Sequence, residues 1–390
     1  MTAVLTHRYK RIFSPPRDSF FLFGPRGTGK STWIKDHFKA ARRFDLLDES
    51  LFQSLVANPS LLAGELRSAE NGTPIVLDEV QRVPALLNIV HQFIEDRKLR
   101  FVLCGSSARK LKQVGTNLLA GRAIRCEMFP LVPEELGDDF DLMRTLQYGT
   151  LPLVLASADR RATLESYVQT YLKTEIQAEA VVKNLPAFFR FFPIAALMNG
   201  QLLSITTIAR EAEVARTTVN GYVEILEDTL LAFRLEAFEP QLRLRERKHP
   251  KLYWIDNGIV RAIRKRWHPP GQEELGHLFE AWIASTLRAY QSYTRLFDEF
   301  WYWAPAEAKE TEVDFILRKD DRYVAIEAKA TSKIHDRLFS GLRAIGALKG
   351  LTRRVMVYLG ERPLKTEDGI DVLPVRKFLQ LISSGELWKR

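Results

Sequence analysis

The sequence predicts a three-part α/β chain: an N-terminal parallel sheet around a phosphate-binding loop, a helical middle, and an α+β C-terminal unit. Three observations predict it. Short apolar runs alternate with helical patterns over residues 19–128, strand signals almost vanish from about 142 to 238, and β patterns return after 251. The expected division is 1–140, 141–240 and 241–390. A chain of 390 residues exceeds what one hydrophobic core usually supports, in keeping with several domains.

Composition narrows the class. At 46% hydrophobic and 27% charged residues the chain is neither a disordered tail nor a fibre. No apolar run approaches the ~18 residues that span a bilayer, and the first residues lack the apolar core of a signal peptide. Cys104 and Cys126 make neither a disulfide framework nor a zinc site. A reducing cytoplasm is the expected compartment, with no membrane partner. The net charge of +9 is concentrated: residues 234–267 carry ten Lys and Arg against four acids. Such a stretch reads as a solvated basic face or as the footprint of a polyanion.

In the N-terminal unit, strands are expected at 20–23, 44–47, 75–77, 101–104 and 123–128, with helices at 54–68 and 84–97. The first strand runs into Gly24, Pro25, Arg26, Gly27, Thr28, Gly29, Lys30, Ser31 and Thr32, a Gly-x-x-x-x-Gly-Lys-Ser loop between strand and helix. Glycines let backbone amides curl around phosphates. Lys30 is expected to neutralise the β/γ-phosphates of ATP or ADP, and the Ser31 hydroxyl to ligate Mg²⁺. A later apolar strand ends in Asp78 and Glu79; Asp78 suits the magnesium shell and Glu79 the polarisation of an attacking water. The strand at 101–104 leads into Ser106 and Ser107, hydroxyls that resemble the polar sensor of additional-strand ATPases. Arg109 and Arg122 are candidate stabilisers of transition-state charge across a domain or subunit boundary, with plain surface arginines as the other reading.

In the middle, residues 203–235 read as two short helices with a tight turn, followed by apolar residues that lead into a wing: a helix-turn-helix of winged type. Arg216, Thr217, Thr218 and Asn220 are the exposed residues of the second helix, able to reach phosphates or base edges, and Arg243 and Arg245 extend that basic footprint. Ala215 stands where Ser or Thr would cap the helix. Contact with a protein partner is the alternative use of this module.

In the last unit, strands are expected at 301–303, 312–317, 323–328 and 355–359, the second and third as a hairpin turning near residue 320. Folding there brings Asp314 within about one residue of opposite Glu327, and Lys329 shares the face of Glu327. Two carboxylates that hold a metal and a lysine that stabilises an attacking water then converge, with Glu280 leaning in from a helix over 275–290.

The three parts together resemble the bacterial and archaeal AAA-type ATPases that carry a C-terminal domain of unknown function with a restriction-endonuclease-like, PD-(D/E)XK fold. The resemblance rests on Gly24 to Thr32, Leu77-Asp78-Glu79-Val80-Gln81, Cys104-Gly105-Ser106, Leu119-Ala120-Gly121-Arg122, Lys251-Leu252-Tyr253-Trp254, and Asp314 with Glu327-Ala328-Lys329. It implies a P-loop core of additional-strand type, a winged helix and a nuclease-like domain. The function expected is ATP hydrolysis coupled to DNA handling; the alternative is a nucleotide-dependent switch that contacts proteins. A homo-oligomer would be required if an arginine acts between subunits.

Overall fold

A computed structural model describes residues 9–70, 72–106, 109, 111, 119–172, 185–239, 249–305 and 311–389. The expected DNA-contact residues Arg243 and Arg245, and Ser107, lie outside them.

The N-terminal unit runs β1 (Phe20–Phe23), α1 (Lys30–His37), β2 (Arg42–Asp45), α2 (Glu49–Ala57), α3 (Ser60–Arg67), β3 (Ile75–Asp78), α4 (Leu86–Arg97), β4 (Phe101–Gly105) and β5 (Ile124–Glu127). All five strands pair in parallel in the order β2-β3-β4-β1-β5. Alternate residues bury on opposite faces: Phe21, Phe23, Leu77 and Leu103 in one core, Phe20, Leu22, Val76 and Val102 in another. β4 therefore separates β1 from β3, and the loops at the carboxyl ends of these three strands face a common crevice. The helix expected over 54–68 is two helices, because Asn58-Pro59 interrupts it. The second strand lies two residues earlier than expected, and Asp48 beyond it caps α2 by accepting from Leu51 N.

The middle contains α5 (Pro133–Leu136), α6 (Leu142–Tyr148), α7 (Pro152–Leu155), α8 (Arg160–Ser166), α9 (Leu185–Leu197), β6 (Gln201–Leu202), α10 (Ile205–Glu211), α11 (Arg216–Asp228), β7 (Ala232–Leu235), β8 (Lys251–Trp254) and α12 (Asn257–Ile263). Ser204 caps α10, whereas Ala215 leaves α11 without a side-chain cap. β8 pairs antiparallel with both β6 and β7, so a strand beyond residue 241 completes the sheet of the middle unit. Phe188, Phe191, Phe192, Tyr222 and Trp254 form an aromatic core behind it.

The last unit comprises α13 (Gln272–Thr294), β9 (Glu299–Trp303), β10 (Val313–Lys319), β11 (Arg322–Lys329), α14 (Ser340–Ala344), β12 (Leu351–Tyr358), β13 (Leu364–Lys365), β14 (Asp371–Pro374) and α15 (Val375–Ser383). Its sheet is mixed, ordered β13-β14-β12-β11-β10-β9. β10 and β11 form the expected hairpin, with Asp320 in a left-handed turn. The pairing of β10 with β9 shifts register between Val313 and Ile316, beside Asp314.

Polar contacts tie the units together. Arg109 pairs with Asp228 at the end of α11 at 2.7 Å. The Tyr167 hydroxyl donates to the Arg26 carbonyl at 3.0 Å. Tyr293, in the last turn of α13, accepts from Arg11 and from Phe129 N, each at 2.8 Å. Among the described residues no helix is long and apolar enough to cross a membrane.

Candidate functional sites

The phosphate-binding loop sits at the carboxyl end of β1, whose four residues are all buried. Gly27 and Gly29 have φ of +83° and +86°, in the left-handed region that side chains resist, and Gly29 is the residue from which α1 starts. Lys30 is buried and donates to the carbonyls of Gly24 at 2.6 Å and Pro25 at 3.1 Å, so its ammonium lies inside the turn of the loop. Pro25 O also accepts from the Thr28 hydroxyl at 2.8 Å. Ser31 and Thr32 stand at the exposed rim, and the Ser31 hydroxyl donates to Asp78 Oδ2 at 2.9 Å. A hydroxyl and a carboxylate in this relation are hard oxygen donors that fit Mg²⁺.

Glu79 follows with a φ of 57°, also left-handed. Its carboxylate accepts from Gln81 Nε2 at 2.5 Å, and the same amide donates to the Ser106 hydroxyl at 3.1 Å. Gln81 thus links the two residues expected to act on water and to sense phosphate. Its amide passes so close to β4 that a Cβ on Gly105 would come within 2.3 Å of it. Gln81 stands in the Leu77–Gln81 motif without a role assigned from sequence; its signal is an amide two residues beyond the acid. Also unforeseen is Arg11, whose guanidinium donates to Thr28 O at 3.2 Å and pairs with the buried Glu135. α7 closes over the loop from the middle unit: Leu153 N donates to Gly27 O at 3.4 Å. Arg109 and Arg122, expected either as charge stabilisers across a domain or subunit boundary or as plain surface arginines, engage Asp228 and Glu95 respectively.

Arg216, Thr217 and Asn220 are exposed on α11 and Thr218 is half-buried, which leaves that end of the helix open to solvent. The basic stretch is less of a surface than expected. Lys251 and Arg261 are buried, Arg261 pairs with Glu274, and Arg234 pairs with Glu227. A large cleft, about 1140 Å³, lies elsewhere: residues 138–145 line one side and Tyr358, Glu361, Arg376 and Lys377 the other. None of the predicted site residues lines it.

The second site is the acid cluster of the last unit. Asp314 N donates to Glu327 Oε2 at 3.3 Å, Ala328 N donates to Asp314 Oδ2 at 2.8 Å, and the Lys329 ammonium rests on Glu327. Glu280 leans in from α13 as expected, and one oxygen each of Glu280, Glu312 and Asp314 lie within 4.8 Å of one another. The unexpected member is Lys251. Its ammonium lies 2.8 Å from Glu280, 3.8 Å from Asp314 and against Glu312, with the Tyr302 ring centroid 5.4 Å away. Tyr253, two residues on along β8, donates to the same Glu280 oxygen at 2.5 Å.

The electrostatics follow from burial. Desolvation and the charge of Asp314 raise Glu280 to about 7, against the opposing pull of Lys251. Burial and Asp314 push Glu327 well above the usual carboxylate range, although Lys329 opposes this. Burial alone would lower Lys251, but Glu280, Tyr253, Glu312 and Asp314 hold it well above its ordinary value. A divalent metal does not fit this arrangement. The carboxylate oxygens that would ligate it already face two ammonium groups, a phenol and two backbone amides.

In comparison with known proteins, three family models match successive stretches of the chain. A family described as "AAA domain" matches residues 16–137, and two described as domains of unknown function, DUF8612 and DUF4143, match 139–268 and 275–378. An uncharacterized protein of Mycobacterium tuberculosis, Rv2008c, is 26% identical over 375 residues, 94% of this chain and 82% of that protein. Another from Methanocaldococcus jannaschii, MJ1637, is 23% identical over 435 residues, 96% of this chain and 87% of that one. Among solved structures, an Aeropyrum pernix Orc1 protein in complex with DNA has a TM-score of 0.29 and 10% identity, over 65% of this chain and 87% of that one. A TM-score this low carries no argument. The loop geometry and the AAA match over the same residues support a nucleotide-binding P-loop ATPase unit at the N-terminal end of this chain.

Proposed function

We propose that the chain binds and hydrolyses ATP and that its nucleotide state is coupled to DNA held by the middle and C-terminal units. The observation that carries the ATPase reading is the convergence of Lys30, Ser31 and Asp78, with Glu79 and Ser106 joined through Gln81, at the ends of three adjacent strands. Ser31 and Asp78 would hold Mg²⁺, which supplies charge neutralisation to the phosphates. Lys30 exchanges the carbonyls of Gly24 and Pro25 for phosphate oxygens when nucleotide enters. Glu79 takes a proton from the attacking water, its carboxylate aimed by Gln81, and Ser106 reports on the γ-phosphate through the same amide.

The coupling would run through contacts that touch the loop or its neighbours: Arg109 to α11, Tyr167 and Leu153 to the loop backbone, and Arg11 with Tyr293 to α13. α10, α11 and the β6-β8-β7 sheet are read as a winged helix whose Arg216, Thr217, Thr218 and Asn220 meet DNA; Arg243 and Arg245, outside the described residues, are proposed to add to that contact on sequence alone. The last unit is read as a PD-(D/E)XK-type domain, a reading supported by the proximity of Asp314, Glu327 and Lys329. The experiment is ATP turnover by the full chain with duplex and single-stranded DNA. Turnover rises with DNA at low salt and the rise falls steeply as salt increases. Absence of DNA binding at low salt ends the DNA part of the proposal.

A second reading, a nucleotide-dependent switch that contacts proteins, is favoured by one observation: Lys251 and Arg261 are withdrawn from the basic stretch into ion pairs. Tight retention of ADP, with no response to DNA, would select it.

A further inference from the structure

We propose that Lys251 is a built-in cation that takes the place of a divalent metal in the acid cluster and keeps the C-terminal unit closed to metal. The lysine does not belong to that unit's sheet. It opens β8, paired through Lys251 with Leu202 of β6 and Leu235 of β7, so the middle unit delivers it across the boundary between units. Its ammonium meets three carboxylates from two elements, Glu280 on α13 and Glu312 with Asp314 at the start of β10, while its stem is buried beside Tyr302. An ammonium and a divalent ion compete for the same oxygens, because each needs several carboxylate lone pairs within contact distance. Here the ammonium is tethered, so its effective concentration at the cluster is far above that of any free ion.

The tether also sets how the cluster opens. β8 is held on both edges by backbone hydrogen bonds to β6 and β7, so the backbone of Lys251 keeps its place against α13 and β10 unless the small sheet shifts. A shift of that sheet would carry the ammonium away from the acids, which ties the cluster to the relative position of the middle and C-terminal units. Lys329, bound to Glu327 alone, has no such link to another unit. The inference is independent of ATP hydrolysis and of DNA binding.

The test is Mn²⁺ binding to the full chain without nucleotide, read by the electron paramagnetic resonance signal of free Mn²⁺ and by the melting temperature. The variants are Lys251→Met, which keeps an apolar stem and removes the charge, and Lys251→Met with Asp314→Asn. The wild type takes up no Mn²⁺ at this cluster and its melting temperature does not respond. Lys251→Met gains a site at least about tenfold tighter than any in the wild type, and Mn²⁺ raises its melting temperature. The added Asp314→Asn abolishes both gains. Folding of Lys251→Met only in the presence of Mn²⁺ would also support the proposal, since metal then replaces the lost cation. Three results would overturn it: wild type and Lys251→Met bind Mn²⁺ equally, Lys251→Met folds and binds none, or it stays unfolded at every Mn²⁺ concentration.

Discussion

The loop at Gly24 to Thr32 and the cluster around Lys251 are both built from lysine and carboxylate, and they differ in how they satisfy their charges. At the loop, Lys30 donates to two backbone carbonyls and Ser31 with Asp78 faces solvent at the rim, so every interaction can be exchanged for one with a ligand. At the cluster, Lys251 and Lys329 face four carboxyls in a buried space, and the charges satisfy one another. A site that must turn over ligands keeps its charged groups on weak, replaceable partners. A site closed on itself works as a joint.

The largest expected difference is in stability. Lys251→Met removes the only cation that touches Glu280, Glu312 and Asp314 together among the described residues, and should cost about 3–5 kcal/mol in urea unfolding at neutral pH. Lys30→Met should cost less, about 1–3 kcal/mol, because it leaves two neutral carbonyls, of which Pro25 O still accepts from the Thr28 hydroxyl, and no unpaired carboxylate. Equal costs would erase the distinction between the two sites.

A second expectation concerns pH. Asp256 is buried at the cap of α12, accepting from Thr150 N at 2.7 Å and Ile259 N at 3.2 Å, and burial raises it to about 6 from 3.8. A folded value above the unfolded one means that its protonated form is favoured in the fold. Its contribution is therefore complete below about pH 4 and is lost as pH rises through about 6, roughly 3 kcal/mol in all. Urea midpoints measured between pH 4 and 7 should fall more gently in Asp256→Asn than in the wild type; parallel slopes would refute the assignment.

Smaller effects distinguish positioning from decoration around the loop. Gln81→Ala leaves Glu79 and Ser106 in place but unlinks them, and should lower ATP turnover about tenfold with nucleotide affinity little changed. Arg122→Ala, which releases exposed contacts with Glu95 and the Ala120 carbonyl, should change stability by less than about 0.5 kcal/mol. A large loss of turnover in Arg122→Ala would instead return that arginine to the role suggested by its sequence context.

What the sequence made legible divides along the same line. The loop, the acids after β3 and the β10-β11 hairpin are specified by neighbours along the chain: glycines where φ is positive, an apolar run ending in Asp78, a turn at Asp320. Hairpin register alone put Asp314 beside Glu327. Lys251 was not legible, because its partners come from α13 and β10, and in sequence it is one more cation in a basic stretch. Arg11 and Tyr293 escaped for the same reason, meeting across 282 positions of chain. The middle sheet was missed in part because β8 follows a long connection from β7, and a wing is defined by pairing that no local pattern announces.

The most direct measurement is ATP turnover by the full chain in Mg²⁺, wild type beside Glu79→Gln, with nucleotide binding followed in parallel. The wild type should hydrolyse ATP, while Glu79→Gln binds it undiminished and turns over about a hundredfold more slowly. Nucleotide bound by the wild type without hydrolysis, or turnover in Glu79→Gln at the wild-type rate, would contradict the assignment of this loop and Glu79 as a catalytic site.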